Sequence, residues 1–225
     1  MNYQLGFIGG GNMAEAISRA AIGSGVVGAK AIIVADPSGP RRAVFDAMGV
    51  ATTDHNTQVI EQAEQIVLAV KPQMFLTVAP ELRGVVFDKQ IIVSIMAGFS
   101  TQRIASAIGG PVRVIRVMPN TPLMVGAGMA GVALGEHAQA GDEDLTLRLL
   151  GAAGKAIVVH ESLIDAVTAV SGSGPAYVFY LAEAMADAAH QMGLDEHTDV
   201  LVRQTILGAA KLLAESPDAP GLVTL

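Results

Sequence analysis

Apolar runs of strand length recur through the first half of the chain, at residues 3–8, 31–35, 65–70, 90–96 and 112–118. Each is largely apolar, with no sustained apolar/polar alternation across the set, which predicts strands covered on both faces. The stretches between them carry helical spacing: after the first run, Met13, Ile17, Ala20 and Ala21 share one face. Strands alternating with helices predict a doubly wound α/β domain with a parallel sheet.

The pattern changes after about residue 140. Residues 142–152 read as a helix, 156–160 as a short last strand, and from Leu163 onward nearly everything is helical. A helix over 179–192 runs into Gly193, a C-cap residue, and Asp195 restarts a helix that continues to about Glu215. This divides the chain into an α/β domain over 1–160 and an all-helical domain over 161–225, with a change of class and no flexible linker. Leu181, Met185, Met192, Leu201, Leu207 and Leu213 spread apolar surface around the two long helices. That is more than two helices can hide against each other, so a self-associating subunit is expected.

Composition narrows the function. The 225 residues include 14 Lys and Arg against 21 Asp and Glu, a net charge of −7 with no basic block. A polyanion is held by many cationic contacts, so a nucleic-acid binder is disfavoured. Cysteine is absent, which leaves no disulfide framework, no thiolate metal site and no cysteine nucleophile. The five histidines show no metal-ligand spacing, and no metal is expected. The opening residues lack a basic secretory n-region, and no apolar stretch approaches the roughly 18 to 20 residues that span a bilayer. A cytoplasmic protein without a membrane partner is the expectation.

Gly9, Gly11 and Ala14 form a G-x-G-x-x-A set directly after the first strand. Gly9 permits the tight turn, Gly11 removes the side chain that would block a pyrophosphate, and Ala14 lets helix and strand pack closely. The pyrophosphate would sit on free N–H groups at the positive end of the helix. Asp36 ends the second strand, where an acid accepts hydrogen bonds from the adenosine ribose and favours NADH; Ser38, Arg41 and Arg42 just beyond could hold a 2′-phosphate and favour NADPH. Helix capping by Asp36 or Ser38 is an equally good reading. Lys71, made extended by Pro72, lies at the carboxyl edge of the sheet, where ligands of open α/β sheets bind.

Two more segments stand out. Residues 116–122, Arg-Val-Met-Pro-Asn-Thr-Pro, leave the fifth strand with two prolines bracketing Asn120 and Thr121. Residues 171–177, Ser-Gly-Ser-Gly-Pro-Ala-Tyr, open a long helix with hydroxyls and N–H groups. Either could receive a carboxylate, and either could be a turn or cap. Thr168, Ser171 and Ser173 are candidate hydrogen-bond partners for a substrate. A dehydrogenase acting on an imine or a β-hydroxyacid, and a nucleotide-binding oligomer without turnover, all fit these residues. A β-hydroxyacid enzyme would carry a lysine in the helix after the Ser-Gly-Ser-Gly loop, and residues 179–192 contain none.

Taken together, Phe7-Ile8-Gly9-Gly10-Gly11-Asn12-Met13-Ala14, Leu68-Ala69-Val70-Lys71-Pro72-Gln73, Arg116 to Pro122 and Ala169 to Tyr177 resemble the pyrroline-5-carboxylate reductase family in order and spacing. The resemblance implies an enzyme that reduces 1-pyrroline-5-carboxylate to L-proline with NADPH or NADH. It implies a Rossmann domain followed by a helical domain that forms a homodimer, with dimers assembling into rings. It places Gly11, Asn12 and Met13 at the pyrophosphate, and Ala69, Val70, Lys71, Pro72, Met118 and Asn120 around the ribose and nicotinamide. Thr168 and Pro175 would border the substrate. The family's Ser-Pro-Gly-Gly-Thr-Thr type turn, which binds the substrate carboxylate, would begin where this sequence reads Gly221-Leu222-Val223-Thr224-Leu225, so a continuing tail is expected.

Overall fold

The computed structural model describes residues 1–83 and 89–216, so the expectation at residues 221–225 lies outside the described residues. The chain begins with β1 (Tyr3–Ile8), α1 (Asn12–Gly23), β2 (Ile32–Ala35), α2 (Gly39–Asp46), β3 (Ala51–Thr53), α3 (Asn56–Gln62) and β4 (Ala63–Leu68). It continues through α4 (Phe75–Val78), β5 (Ile91–Ser94), α5 (Thr101–Ile108), β6 (Arg113–Pro119), β7 (Gly128–Leu134), α6 (Asp144–Gly151) and β8 (Gly154–Val158). The short α7 (Ile164–Val167) and the long α8 (Gly174–Gln191) and α9 (Thr198–Glu215) complete it.

The strands form one sheet in the order β3-β2-β1-β4-β5-β6-β7-β8. Among the described residues only β6 and β7 pair antiparallel. Strand direction explains the sequence pattern. Leu5, Phe7, Ile32, Val34, Val67 and Val117 face a core closed by α1 and α6, while Ile8, Ile33, Ile66, Leu68, Ile92 and Val114 face one closed by α3, α4 and α5. A strand covered on both faces shows no polar alternation, which is why five of these strands were visible as continuous apolar runs.

Two strands were not. β3 is three residues, Ala-Thr-Thr, at an edge, and β7 reads Gly-Met-Ala-Gly-Val-Ala-Leu, too rich in small residues to stand out. β7 is small because it is approached closely. A Cβ at Gly131 would lie 2.9 Å from Val167 Cγ1 of α7.

The first compact unit is Met1–Ser173, and the second begins at Gly174. The change of class near residue 160 therefore precedes the end of the first unit: the turns after β8 still lie on β6 and β7. Within the second unit α8 and α9 pack on each other through Ala189, Thr198 and Val202. Gly193 turns the chain between them at φ +79°, and His190 Nδ1 lies 2.8 Å from Asp195 Oδ1 across the turn. Tyr177, Phe179, Tyr180, Leu181, Leu201 and Leu213 are exposed.

Candidate active site

The direction of chain winding reverses between β1 and β4, and in open sheets the ligand crevice lies outside the carboxyl ends of the strands at that switch point. At its floor Gly9 donates from its N–H to the Ala35 carbonyl (2.8 Å), and Ala69 donates to the Ile8 carbonyl (2.9 Å). Gly9 has φ +99°, and a Cβ there would lie 2.8 Å from the Ala69 carbonyl oxygen. No other residue fits both restraints.

Gly11 is different. It has φ −71°, which any residue adopts, and a Cβ there would meet nothing within 4 Å. It precedes the first turn of α1 without any side-chain cap, and the first intrahelical bond runs from Glu15 N–H to the Gly11 carbonyl (3.0 Å). The N–H groups of Asn12, Met13 and Ala14 therefore have no acceptor within the helix. Open space beside free N–H groups at the positive helix end is what a dinucleotide pyrophosphate requires, so these residues fit that group.

Asp36 and the two arginines build the adjoining wall. The Asp36 carboxylate accepts from Gly10 N–H (2.7 Å) with one oxygen and from Ser38 N–H (2.8 Å) with the other. Ser38 Oγ caps α2 by accepting from Arg41 N–H (3.4 Å). Arg41 donates from Nε to the Gly10 carbonyl (2.7 Å) and from Nη2 to Glu15 (2.9 Å), while Arg42 donates to the Asp36 carbonyl (2.7 Å). Burial acts to raise the Glu15 pKa, but the hydrogen bonds and charges of Arg41 and Arg19 outweigh it and hold the carboxyl below its ordinary value.

Along the same rim, Ala69 and Val70 are half-buried and Lys71 is exposed, with extended backbone (φ −62°, ψ 141°) ahead of Pro72. Among the described residues Lys71 has no ion-pair partner, so its ammonium is available to a ligand.

Asn120 follows β6 and is buried. Its Oδ1 accepts from Met129 N–H (2.8 Å), and its Nδ2 donates to the Ser171 carbonyl (3.2 Å) and Ser171 Oγ (3.4 Å). Ser171 belongs to a π-helical turn, Thr168–Gly172, closed by Ser173 N–H donating to the Thr168 carbonyl (2.8 Å). Such turns are frequent at functional sites. Thr168 Oγ1 donates to the Ile164 carbonyl (2.8 Å), so its hydroxyl proton is committed within the chain. Met118 packs beneath Gly172, where a Cβ would lie 2.7 Å from Met118 Cε. Pro175 lies in the first turn of α8, in the second unit.

The sequence reading found the glycine crook and the two rim segments. It did not find Glu15, whose bond to Arg41 spans 26 positions, nor the roles of Thr101, Arg116 and Glu161. An arginine flanked by Ile115 and Val117 within a largely apolar strand was the available signal for Arg116.

Sheet, crook and rim define a Rossmann-type dinucleotide-binding protein joined to a helical unit. Residues 4–98 match the family model described as NADP oxidoreductase, coenzyme F420-dependent, and residues 161–224 match pyrroline-5-carboxylate reductase dimerisation. The pyrroline-5-carboxylate reductase of Haemophilus influenzae is 44% identical over 95% of this chain and 79% of its own. The structure of a pyrroline-5-carboxylate reductase from Coxiella burnetii superposes with a TM-score of 0.89 at 36% identity, over 98% of this chain and 83% of that one. A pyrroline carboxylate reductase from Plasmodium falciparum with NADP bound gives 0.85 at 26% identity, over 98% and 82%. The chain belongs to the pyrroline-5-carboxylate reductase family, as its motifs implied.

Proposed function

We propose that this protein reduces 1-pyrroline-5-carboxylate to L-proline with a reduced pyridine nucleotide, completing proline biosynthesis. The observation that carries the reading is the crook: Gly11 borders open space at the uncapped N-terminus of α1, at the switch point of the sheet. Family membership supplies the substrate. A reduced nicotinamide supplies a hydride to the imine carbon, and the C=N π pair moves to a ring nitrogen that already carries its proton.

The residues of this chain bind and align. Gly11, Asn12 and Met13 receive the pyrophosphate through backbone N–H groups, and Gly9 shapes the turn that presents them. Ala69, Val70, Lys71 and Pro72 line the ribose and nicotinamide, together with Met118, while the Asn120 amide is engaged within the chain by Ser171 and Met129. Alignment of the two rings accounts for most of the rate, since holding reactants in a near-attack geometry replaces a bimolecular encounter. Among the polar rim groups, Ser171 and Ser173 are the candidates to hydrogen-bond substrate, while Thr168 shapes the border.

NADPH is the favoured nucleotide. Each oxygen of Asp36 already accepts one backbone N–H, so the carboxylate is engaged in holding the turn. Arg41 and Arg42 leave positive charge beside Ser38, which suits a 2′-phosphate. The protein works in the cytoplasm as a homodimer, with dimers assembling into rings; among the described residues no helix is long and apolar enough to cross a membrane. Oxidation of NADPH and NADH followed at 340 nm (roughly the usual reduced-nicotinamide band) with 1-pyrroline-5-carboxylate tests this. Turnover with a higher kcat/KM for NADPH is expected; no turnover with either nucleotide overturns the assignment.

A further inference from the structure

One face of β6 acts as a dock for the chain that follows β8. Residues two apart on a strand share a face, and Arg116, Met118 and Asn120 follow that period. Buried Arg116 donates to Glu161 (3.4 Å) and Asp165 (3.3 Å), and Glu161 in turn accepts from Thr101 N–H (2.7 Å) and Thr101 Oγ1 (2.6 Å). Met118 then supports Gly172, and Asn120 holds Ser171. The segment from Glu161 to Ser173 is thus held at its start by Arg116 of β6 and at its end by Met118 of β6 and by Asn120 just after it.

Asn120 sits at the end that matters for chemistry. Its amide is spent inside the protein: the oxygen on Met129 N–H, the NH2 group on the carbonyl and hydroxyl of Ser171. An NH2 group can only donate, so the Ser171 hydroxyl is the acceptor in that contact and its own proton points elsewhere. Ser171 is half-buried at the rim, whereas the Thr168 proton is already given to Ile164.

We propose that Asn120 is a positioning residue that fixes the π-helical turn and turns the Ser171 hydroxyl into a hydrogen-bond donor aimed at the bound substrate. The proposal rests on the reductase reading and assigns Asn120 an indirect part in it. Ser171 donates to an acceptor on the substrate, such as its carboxylate, and no bond is made or broken by either residue.

The test is a double-mutant cycle with Asn120→Asp, Ser171→Ala and the two together in the purified protein, reading kcat, KM for 1-pyrroline-5-carboxylate, and NADPH affinity by fluorescence titration. Asn120→Asp keeps an acceptor for Met129 N–H but loses both donations to Ser171. It should lower kcat/KM for the pyrroline about 10- to 100-fold, with NADPH affinity within about twofold. Adding it to Ser171→Ala should cost less than about threefold more. Asn120→Ala, which also uncaps Met129, should melt lower yet show the same kinetic deficit as Asn120→Asp; a deficit that follows the melting temperature instead would mean a structural role. Losses that multiply in the double variant, or an NADPH affinity weakened about tenfold with kcat retained, would overturn the proposal and put Asn120 directly on the nucleotide. Absence of turnover in the unaltered protein would overturn the reductase reading and this inference with it, an outcome separate from the others.

Discussion

Gly9 and Gly11 stand two residues apart in one motif and answer to different restraints. Gly9 is needed by the protein itself, since its φ of +99° and the Ala69 carbonyl 2.8 Å from its missing Cβ exclude a side chain with or without ligand. Gly11 has an ordinary backbone and open space, so its own fold asks of it no more than a fair N-cap residue, and a bound group supplies the further reason for the missing side chain. Gly9→Ala should therefore cost about 1–3 kcal/mol of folding stability. Gly11→Ala should melt within about 4 °C of the parent, since it loses only a favoured N-cap residue and meets no strain. It should nevertheless bind NADPH about tenfold more weakly, because a methyl group stands where the pyrophosphate must approach. Thermal melting beside nucleotide titration separates the two variants, and a Gly11→Ala protein that binds NADPH normally would move the pyrophosphate out of the crook.

Between elements, the glycine loop is held by α1 and α2 through one shared ion network. Arg41 reaches from the start of α2 to the Gly10 carbonyl and to Glu15 in the first turn of α1, and Arg19 braces Glu15 one turn on. Because the Glu15 carboxyl titrates below its ordinary value in the folded protein, the bond stabilises fully above the unfolded carboxylate pKa of about 4.3 and fades as pH falls through the folded pKa. Glu15→Gln should lose about 1 kcal/mol at neutral pH, and the gap from the parent should shrink as pH is lowered below about 4. Urea melts at neutral and acid pH check the sign; a gap that widens in acid would contradict it. The same network shows what a sequence can and cannot display. Gly9, Gly11 and Lys71 were legible because their chemistry is local, set by a turn, a helix end or a following proline. The partnership of Arg41 with Glu15 and of Asn120 with Ser171 was not, because spacings of 26 and 51 positions leave no periodic trace. At strand scale the division is similar. β1, β2, β4, β5 and β6 announce themselves by burial on both faces, while β7 is hidden by the small residues that let α7 approach Gly131.

At the scale of the whole molecule, the second unit poses the unsolved surface. Its two long helices bury little more than Ala189, Thr198 and Val202 between them and leave Tyr177, Phe179, Tyr180 and Leu181 exposed on α8. An apolar surface of this kind on a helix of 18 residues costs solubility unless another subunit covers it. The match of residues 161–224 to a dimerisation family agrees with that demand. The protein should sediment at no less than twice its chain mass of 23.1 kDa. Tyr180→Glu combined with Leu181→Glu would place two charges in the covered face, where an unpaired buried charge is strongly unfavourable. Both side chains are exposed in the single chain, so folding of the monomer should change by less than about 1 kcal/mol. Sedimentation of this variant should shift toward the single-chain mass, with its α-helical circular dichroism kept. A variant that remains a dimer would move the contact to another face of α8 or to α9, and a parent protein that sediments as a monomer at full activity would remove the interface altogether.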